Sequence, residues 1–263
     1  MNFNIIGTGN IAWFFAERLT QAGHQCIGVY GRNKNNAKQL TDSINSSIIE
    51  NISDIDDSAD CCFLAVSDNA IKDIAHQLSF QHTILVHTAG SVKREVLTSA
   101  APHNAVIWPI YSINKQNIPQ HKDIPIAIEV SDDKVDHIIS GLISSITDQL
   151  FSVSSEQRSW LHLSAVLSNN FTNHLLAISE QICKEQELPF AALYPIIHQT
   201  VERLQTQSPY STQTGPAIRK DMGTIKKHMD MLSSNTSWQK VYESITTSID
   251  NSYSTDKEDK PDK

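Results

Sequence analysis

Residues 3–12, FNIIGTGNIA, govern how the rest of the chain is read. Phe3, Ile5 and Ile6 make a short apolar strand that runs straight into Gly7-Thr8-Gly9-Asn10-Ile11-Ala12. A helical pattern from Ile11 to Ala22 follows, then a second strand from Cys26 to Tyr30. Two glycines so spaced are common, but strand before, helix after and second strand beyond give them a meaning. Gly7 permits the tight turn, Gly9 lets backbone approach a pyrophosphate, and Ala12 is small enough for close helix–strand packing. The helix start supplies free N–H groups and a positive dipole end for phosphates. The competing reading is an ordinary glycine turn.

The second strand ends in Gly31-Arg32-Asn33. An acidic residue there would bind the ribose 2′-hydroxyl of NAD and repel a 2′-phosphate. Gly31 instead leaves room, Arg32 offers a planar cationic fork and Asn33 an amide, with Lys34 a second cation nearby. Arginine suits a dianionic phosphate, so the sequence favours NADP(H) over NAD(H). A solvated surface charge is the alternative for Arg32. Two more stretches sit at strand ends, where ligands of such folds bind. Ala65-Val66-Ser67 closes one strand; Thr88, Gly90 and Ser91 follow His87 on the next. Both are expected along the cofactor. Asp68 stays open between a cofactor role and capping the helix at Ala70.

Strand-like runs at 3–6, 26–30, 47–49, 61–66, 83–87, 105–108 and 125–130 alternate with helical stretches at 11–22, 35–43, 70–78, 93–99 and 133–146. Continuous apolar strands fit a sheet covered on both faces, and the alternation predicts a doubly wound parallel Rossmann sheet, class α/β, followed by an all-α domain. The expected domains are 1–151, dinucleotide-binding, and 152–253, helical, with a charged, disordered tail at 254–263. Ser154 and Gln157 form a capping-box pattern. The helices expected after it span 157 to about 187, then 190–205 with Pro195 starting or kinking it, a third opening near Thr214-Gly215-Pro216, and a fourth at 238–252.

The formal charge of −8 over 263 residues argues against nucleic acid as a partner. No run is long enough to span a membrane. Cys26, Cys61, Cys62 and Cys183 lack metal-ligand spacing, so no metal is expected, and buried reduced thiols point to the cytoplasm.

The stretches GTGNIA, YGRN, LAVSDNAI, VHTAGSV, HLSAVLSNNFTNHL and TGPAIRKD resemble the Rossmann-like proteins with a C-terminal helical domain of uncharacterised function. That family is related to pyrroline-5-carboxylate reductases and deazaflavin-dependent NADP oxidoreductases. The resemblance reaches to about Tyr253 and implies an NADP-dependent oxidoreductase that forms a homodimer through its helical domain. Trp108 departs from the His or Tyr usual before the Pro109-Ile110-Tyr111 turn, and Trp13-Phe14-Phe15 is bulkier than usual.

On the long helix, His162, Asn169 and Asn173 share one face, with Asn170 and His174 on an adjacent stripe. They predict a polar pocket over the nicotinamide, with His162 or His174 as proton donor and Asn170 toward the substrate. A hydrogen-bonded network inside a bundle is the bland alternative. Thr214, Gly215 and Arg219 suggest a helix N-terminus that takes a substrate carboxylate. The expected activity is hydride transfer between NADP(H) and a small polar C=O or C=N substrate held between the domains. A non-catalytic NADP(H)-binding sensor and a deazaflavin-using reductase are the alternatives.

Overall fold

The computed structural model describes residues 1–55 and 57–254; the tail expected to be disordered lies outside them, Ser254 excepted. The chain divides into two compact units, Met1–Asn170 and one that begins at Phe171.

The first unit is built on an eight-stranded sheet. Its strands are β1 (Asn2–Ile6), β2 (Gln25–Tyr30), β3 (Ile48–Ile49), β4 (Cys61–Leu64), β5 (Ile84–His87), β6 (Asn104–Pro109), β7 (Ile126–Val130) and β8 (Leu150–Ser152). They lie in the order β3-β2-β1-β4-β5-β6-β7-β8. Between them run α1 (Asn10–Gln21), α2 (Lys34–Ile44), α3 (Asp68–Ala75) and α4 (Asp133–Ile143). Successive side chains of β4 show why both faces are apolar. Cys61 and Phe63 join the core shared with Phe3, Phe14, Phe15 and Ile139, while Cys62 and Leu64 join the opposite one with Ile71 and Leu85. Phe14 and Phe15, which looked bulky in the sequence, are fully buried there, and Phe15 packs on Phe63 at 5.1 Å between ring centres. Burial pushes the thiols of Cys26 and Cys61 up to about 11 and about 12, which leaves them unreactive.

The doubly wound sheet followed by helices is as expected, and the details differ in places. The sheet is parallel except at β6–β7, where Ile107 pairs with Ile128 antiparallel. The segment from Ile110 to Pro125 holds no helix, and a parallel return needs a crossover of that kind. The edge strand β8 was not foreseen: it has three residues, and Phe151 is exposed. Residues 94–97 form only a 3₁₀ turn rather than a helix over 93–99.

The helical part opens with α5 (Ser155–Ala165), started by the foreseen capping box: Gln157 N–H donates to Ser154 Oγ at 3.2 Å and Ser154 N–H to Gln157 Oε1 at 2.9 Å. A single α-helix does not continue from there. A π-helix spans Val166–Phe171 before α6 (Thr172–Glu185) resumes α-helical winding. Then come a 3₁₀ turn (Phe190–Leu193), α7 (Tyr194–Arg203) with Pro195 in its first turn, α8 (Met222–Met231) and α9 (Thr236–Ser254). The unit boundary at Asn170 lies beyond the expected 151 because Leu161 and Ala165 pack on the sheet core of Val106, Trp108 and Ala127. No described helix is long and apolar enough to cross a membrane.

Candidate functional site

At the carboxyl end of β1 the strand order reverses, since β2 lies to one side and β4 to the other. Crevices in such sheets open at that switch point. A cavity of about 480 Å³ is found there, and its lining includes Gly7, Thr8, Gly9, Asn10 and Ile11 from the turn, Gly31, Arg32 and Asn33 after β2, and Ala65, Val66 and Ser67 after β4. The N-termini of α1, α2 and α3 all face it, so unpaired helix N–H groups gather around one space.

The glycines are explained by what a side chain would meet. Gly7 has φ +129°, and a Cβ there would lie 2.1 Å from the Ala65 carbonyl oxygen. A Cβ on Gly9 would meet nothing within 4 Å, so its backbone is bare toward the cavity. A Cβ on Gly31 would lie 2.6 Å from Thr8 Cγ2, so this glycine lets the end of β2 sit against the turn rather than leaving space. These features fit a dinucleotide phosphate at the turn. Ala12 is fully buried behind it and serves packing.

The residues after β2 divide their work. Arg32 is exposed and makes no ion pair among the described residues. Asn33 caps α2, its Oδ1 accepting from Asn36 N–H at 3.1 Å. Lys34, the second cation nearby, pairs with Glu50 at 2.9 Å and donates to the Glu50 carbonyl at 2.6 Å. Tyr30, Asn36, Ala70 and Ile74 also line the cavity. Asn36 could have been found as the residue one turn into the helix after the Gly-Arg-Asn stop. Asp68 opens α3 but does not cap it; its carboxylate accepts from Ser91 Oγ–H, which joins the loops after β4 and β5.

A second cavity, about 700 Å³, lies beyond β6 and α5. Trp108 to Ser112 form one wall; His162, Ala165, Val166, Ser168, Asn169 and Asn170 form the other. The His162 and Trp108 rings meet edge to face at 5.6 Å. Gly90 is wedged beside them, for a Cβ there would lie 2.6 Å from His162 Cδ2 and 2.8 Å from Trp108 Cε2. His162, Asn169 and Asn170 therefore share one lining. Asn173 and His174 do not: they fall on α6, outside this lining. The extra residue that a π-turn accommodates shifts the phase, so the α-helical spacing from 162 to 173 no longer defines one face. Ser164 and Ser168, which donate to the carbonyls of Trp160 and Ser164, accompany the change.

Thr88, Gly90 and Ser91 line neither cavity as such; Thr88 and Gly90 are buried between them in sequence order at the end of β5. The helix N-terminus expected at Thr214, Gly215 and Arg219 to take a carboxylate is not found. No helix starts there; α8 begins at Met222, and Asp221 caps it by accepting from Thr224 N–H at 3.0 Å. That hydrogen bond and a second from the Thr224 hydroxyl hold the Asp221 carboxyl below its usual range, so a negative charge already fills the N-terminus. Gly215, with φ +111°, turns an irregular segment instead.

Sequence reading missed the group behind Gly90. Arg158 is fully buried, donating to the carbonyls of Ala89 at 3.0 Å and Gly90 at 2.8 Å and pairing with Glu129 at 3.0 Å. Ser155 Oγ–H also donates to Glu129, and Arg94 lies 3.5 Å from it. His87 is buried beside this group; burial first, and then the Arg158 charge, push it down to about 3 against the Lys93 backbone. Its Nδ1 accepts from Ala89 N–H at 3.2 Å, which puts the proton of the neutral ring on Nε2. Among the described residues no cluster of side chains could hold a metal ion.

Residues 2–90 match the family model of coenzyme F420-dependent NADP oxidoreductases, and residues 124–249 match a domain of unknown function, DUF2520. A Bacteroides fragilis structure named as an NADP oxidoreductase, BF3122, is 30% identical with a TM-score of 0.86; the match covers 95% of this chain and 98% of that one. Pyrroline-5-carboxylate reductase from Streptococcus pyogenes (17% identical, TM-score 0.65, 95% and 98% covered) shares the fold. So does an imine reductase from Myxococcus stipitatus solved with NADP+ (12%, TM-score 0.71, 97% and 95% covered). No curated protein matches the sequence.

Proposed function

The chain belongs to the family of the Bacteroides fragilis protein BF3122, named as an NADP oxidoreductase, and from that premise we propose that it transfers hydride between NADP(H) and a small polar C=O or C=N compound. The observation that carries this reading is the wedge of Gly90 against His162 and Trp108, because it joins the end of β5 to a cavity walled by aromatic rings and amides. The glycine turn and the N-termini of α1 and α2 hold the cofactor phosphates, and Arg32 takes the 2′-phosphate. When bound, the nicotinamide supplies the hydride.

This chain's own residues do the rest. Asn169 and Asn170 orient the polar end of the substrate, Trp108 and Ile110 keep water from one side, and His162 gives a proton to the carbonyl oxygen or imine nitrogen. A homodimer fits the helical unit. No residue of α6, α7, α8 or α9 is buried, and Ile196, Val201 and Met231 are each more than 60% exposed. Apolar surface of that extent marks an interface. Sedimentation should give twice the chain mass, and a monomer at micromolar concentration would remove this part of the reading. The buried free thiols suit a reducing cytoplasm.

The deciding experiment offers the protein and NADPH a panel of cyclic imines, keto acids and a deazaflavin, following NADPH absorbance. Turnover of an imine or ketone supports the proposal. Turnover of the deazaflavin alone points to the F420 chemistry of the matched family model. Tight NADPH binding without turnover, unaffected by Asn169→Ala, would make the protein a sensor instead.

A further inference from the structure

Arg158 sits on α5 one helical turn before His162, with no exposed surface. A buried cation needs full compensation, and losing one partner of such a pair is costly. Glu129, on β7, supplies the counter-charge at 3.0 Å. Its other bonds go to Ser155 Oγ at 3.5 Å and to two successive backbone carbonyls, those of Ala89 and Gly90, while its Nε has no partner among the described residues. All described peptide bonds are trans, so each carbonyl turned toward the guanidinium turns the following N–H away from it. The N–H groups of Gly90 and Ser91 are so turned, and neither has a hydrogen-bond partner among the described residues. The peptide just upstream is pinned as well, because Ala89 N–H donates to His87 Nδ1. The turn also touches the His162 ring and Trp108 so closely that Gly90 has no room for a Cβ.

We propose that Arg158 is a positioning residue: it locks the Ala89–Gly90–Ser91 turn in one peptide orientation against His162, which presents the Gly90 and Ser91 N–H groups to an oxygen acceptor at the nicotinamide end of NADP(H). This rests on the cofactor reading given above. The interaction needs arginine. A lysine ammonium has the charge, but it lacks the planar fork that reaches two carbonyls and a carboxylate at once. The Asp68–Ser91 side-chain bond holds the next residue of the turn, so its freedom to relax is small.

Gly90-Ser91 is the one Gly-Ser step in the chain, so protein labelled with ¹³C′-glycine and ¹⁵N-serine shows the Ser91 amide as a single resonance. NADPH should move that resonance in the wild type. In R158M, folded by circular dichroism, the resonance should be displaced before any cofactor is added, cease to respond to NADPH, and be accompanied by about tenfold weaker NADPH affinity, the size of one hydrogen bond lost to the cofactor. R158K should restore part of both. A wild-type Ser91 amide unmoved at saturating NADPH would overturn the proposal, as would R158M with full response and affinity. Should R158M not fold, R158K is read by the same signal. If calorimetry shows no NADPH binding at all, the cofactor reading fails separately. The free-protein comparison then decides the tie alone: a displaced Ser91 resonance in R158K supports it and an unchanged one overturns it.

Discussion

The cavity at the glycine turn is lined by three glycines and the starts of three helices, whereas the cavity at Trp108 is lined by aromatic, imidazole and amide side chains. Gly7 and Gly9 leave the turn without side chains, so that peptide groups and helix N-termini can meet a phosphate, and Gly31 lets the end of β2 pack against that turn. His162, Asn169 and Asn170 instead depend on rotamer, helix phase and what packs behind them. Backbone sites tolerate many neighbours but no Cβ; side-chain sites tolerate small shifts of chain but no change of phase. The two cavities should therefore fail differently.

The largest effect is expected at the turn. Gly7→Ala forces a positive φ and drives a Cβ into the Ala65 carbonyl, at a cost of about 4 kcal/mol or more. Thermal melts should fall steeply and NADPH binding vanish with them; a variant that melts like the wild type would show that the turn can relax.

His87 lies between the two regions and gives the next effect. Its folded value is pushed down to about 3, while an unfolded histidine titrates near about 6.5. Below 6.5 the unfolded chain takes up a proton that the folded chain refuses. Stability from this group is thus fully present above 6.5 and is lost as pH falls toward 3. Denaturant midpoints across that window should drop less in His87→Asn than in the wild type, and parallel curves would count against the burial argument.

Within the side-chain site, phase sets the ranking. Asn169→Ala should lower turnover by about tenfold to a hundredfold with NADPH affinity intact, and Asn173→Ala by much less, since only Asn169 lines the cavity. Equal losses would mean that α-helical spacing, rather than the π segment, describes the working state. The gentlest test is Arg32→Asp. It should leave the fold untouched, since Arg32 is exposed, while NADPH loses its advantage over NADH. Unchanged selectivity would remove the 2′-phosphate role.

Those contrasts explain what could be read from the chain. Gly7 and Gly9 announce themselves because backbone sites require a residue type, and the Ser154–Gln157 capping box because it is local. The grouping of Asn173 with His162 and Asn169 rests on 3.6-residue spacing, which does not hold across Val166–Phe171, and a π-turn leaves no compositional mark. Thr214-Gly215-Pro216 imitated a helix start, while the true one, Asp221 with Thr224, carried its own capping signature. Arg158 was invisible for another reason. An arginine just inside a helix is ordinarily solvated, and its burial depends on Glu129, which is 29 positions away in the chain.

The π segment also sets a limit on how this sequence can vary. One residue adds about 100° of rotation to an α-helix, so deleting a single position between Val166 and Phe171 would re-wind the stretch as an ordinary helix. Everything from Thr172 onward would then be re-indexed relative to Arg158 and His162. Length, more than side-chain identity, is what this stretch has to preserve.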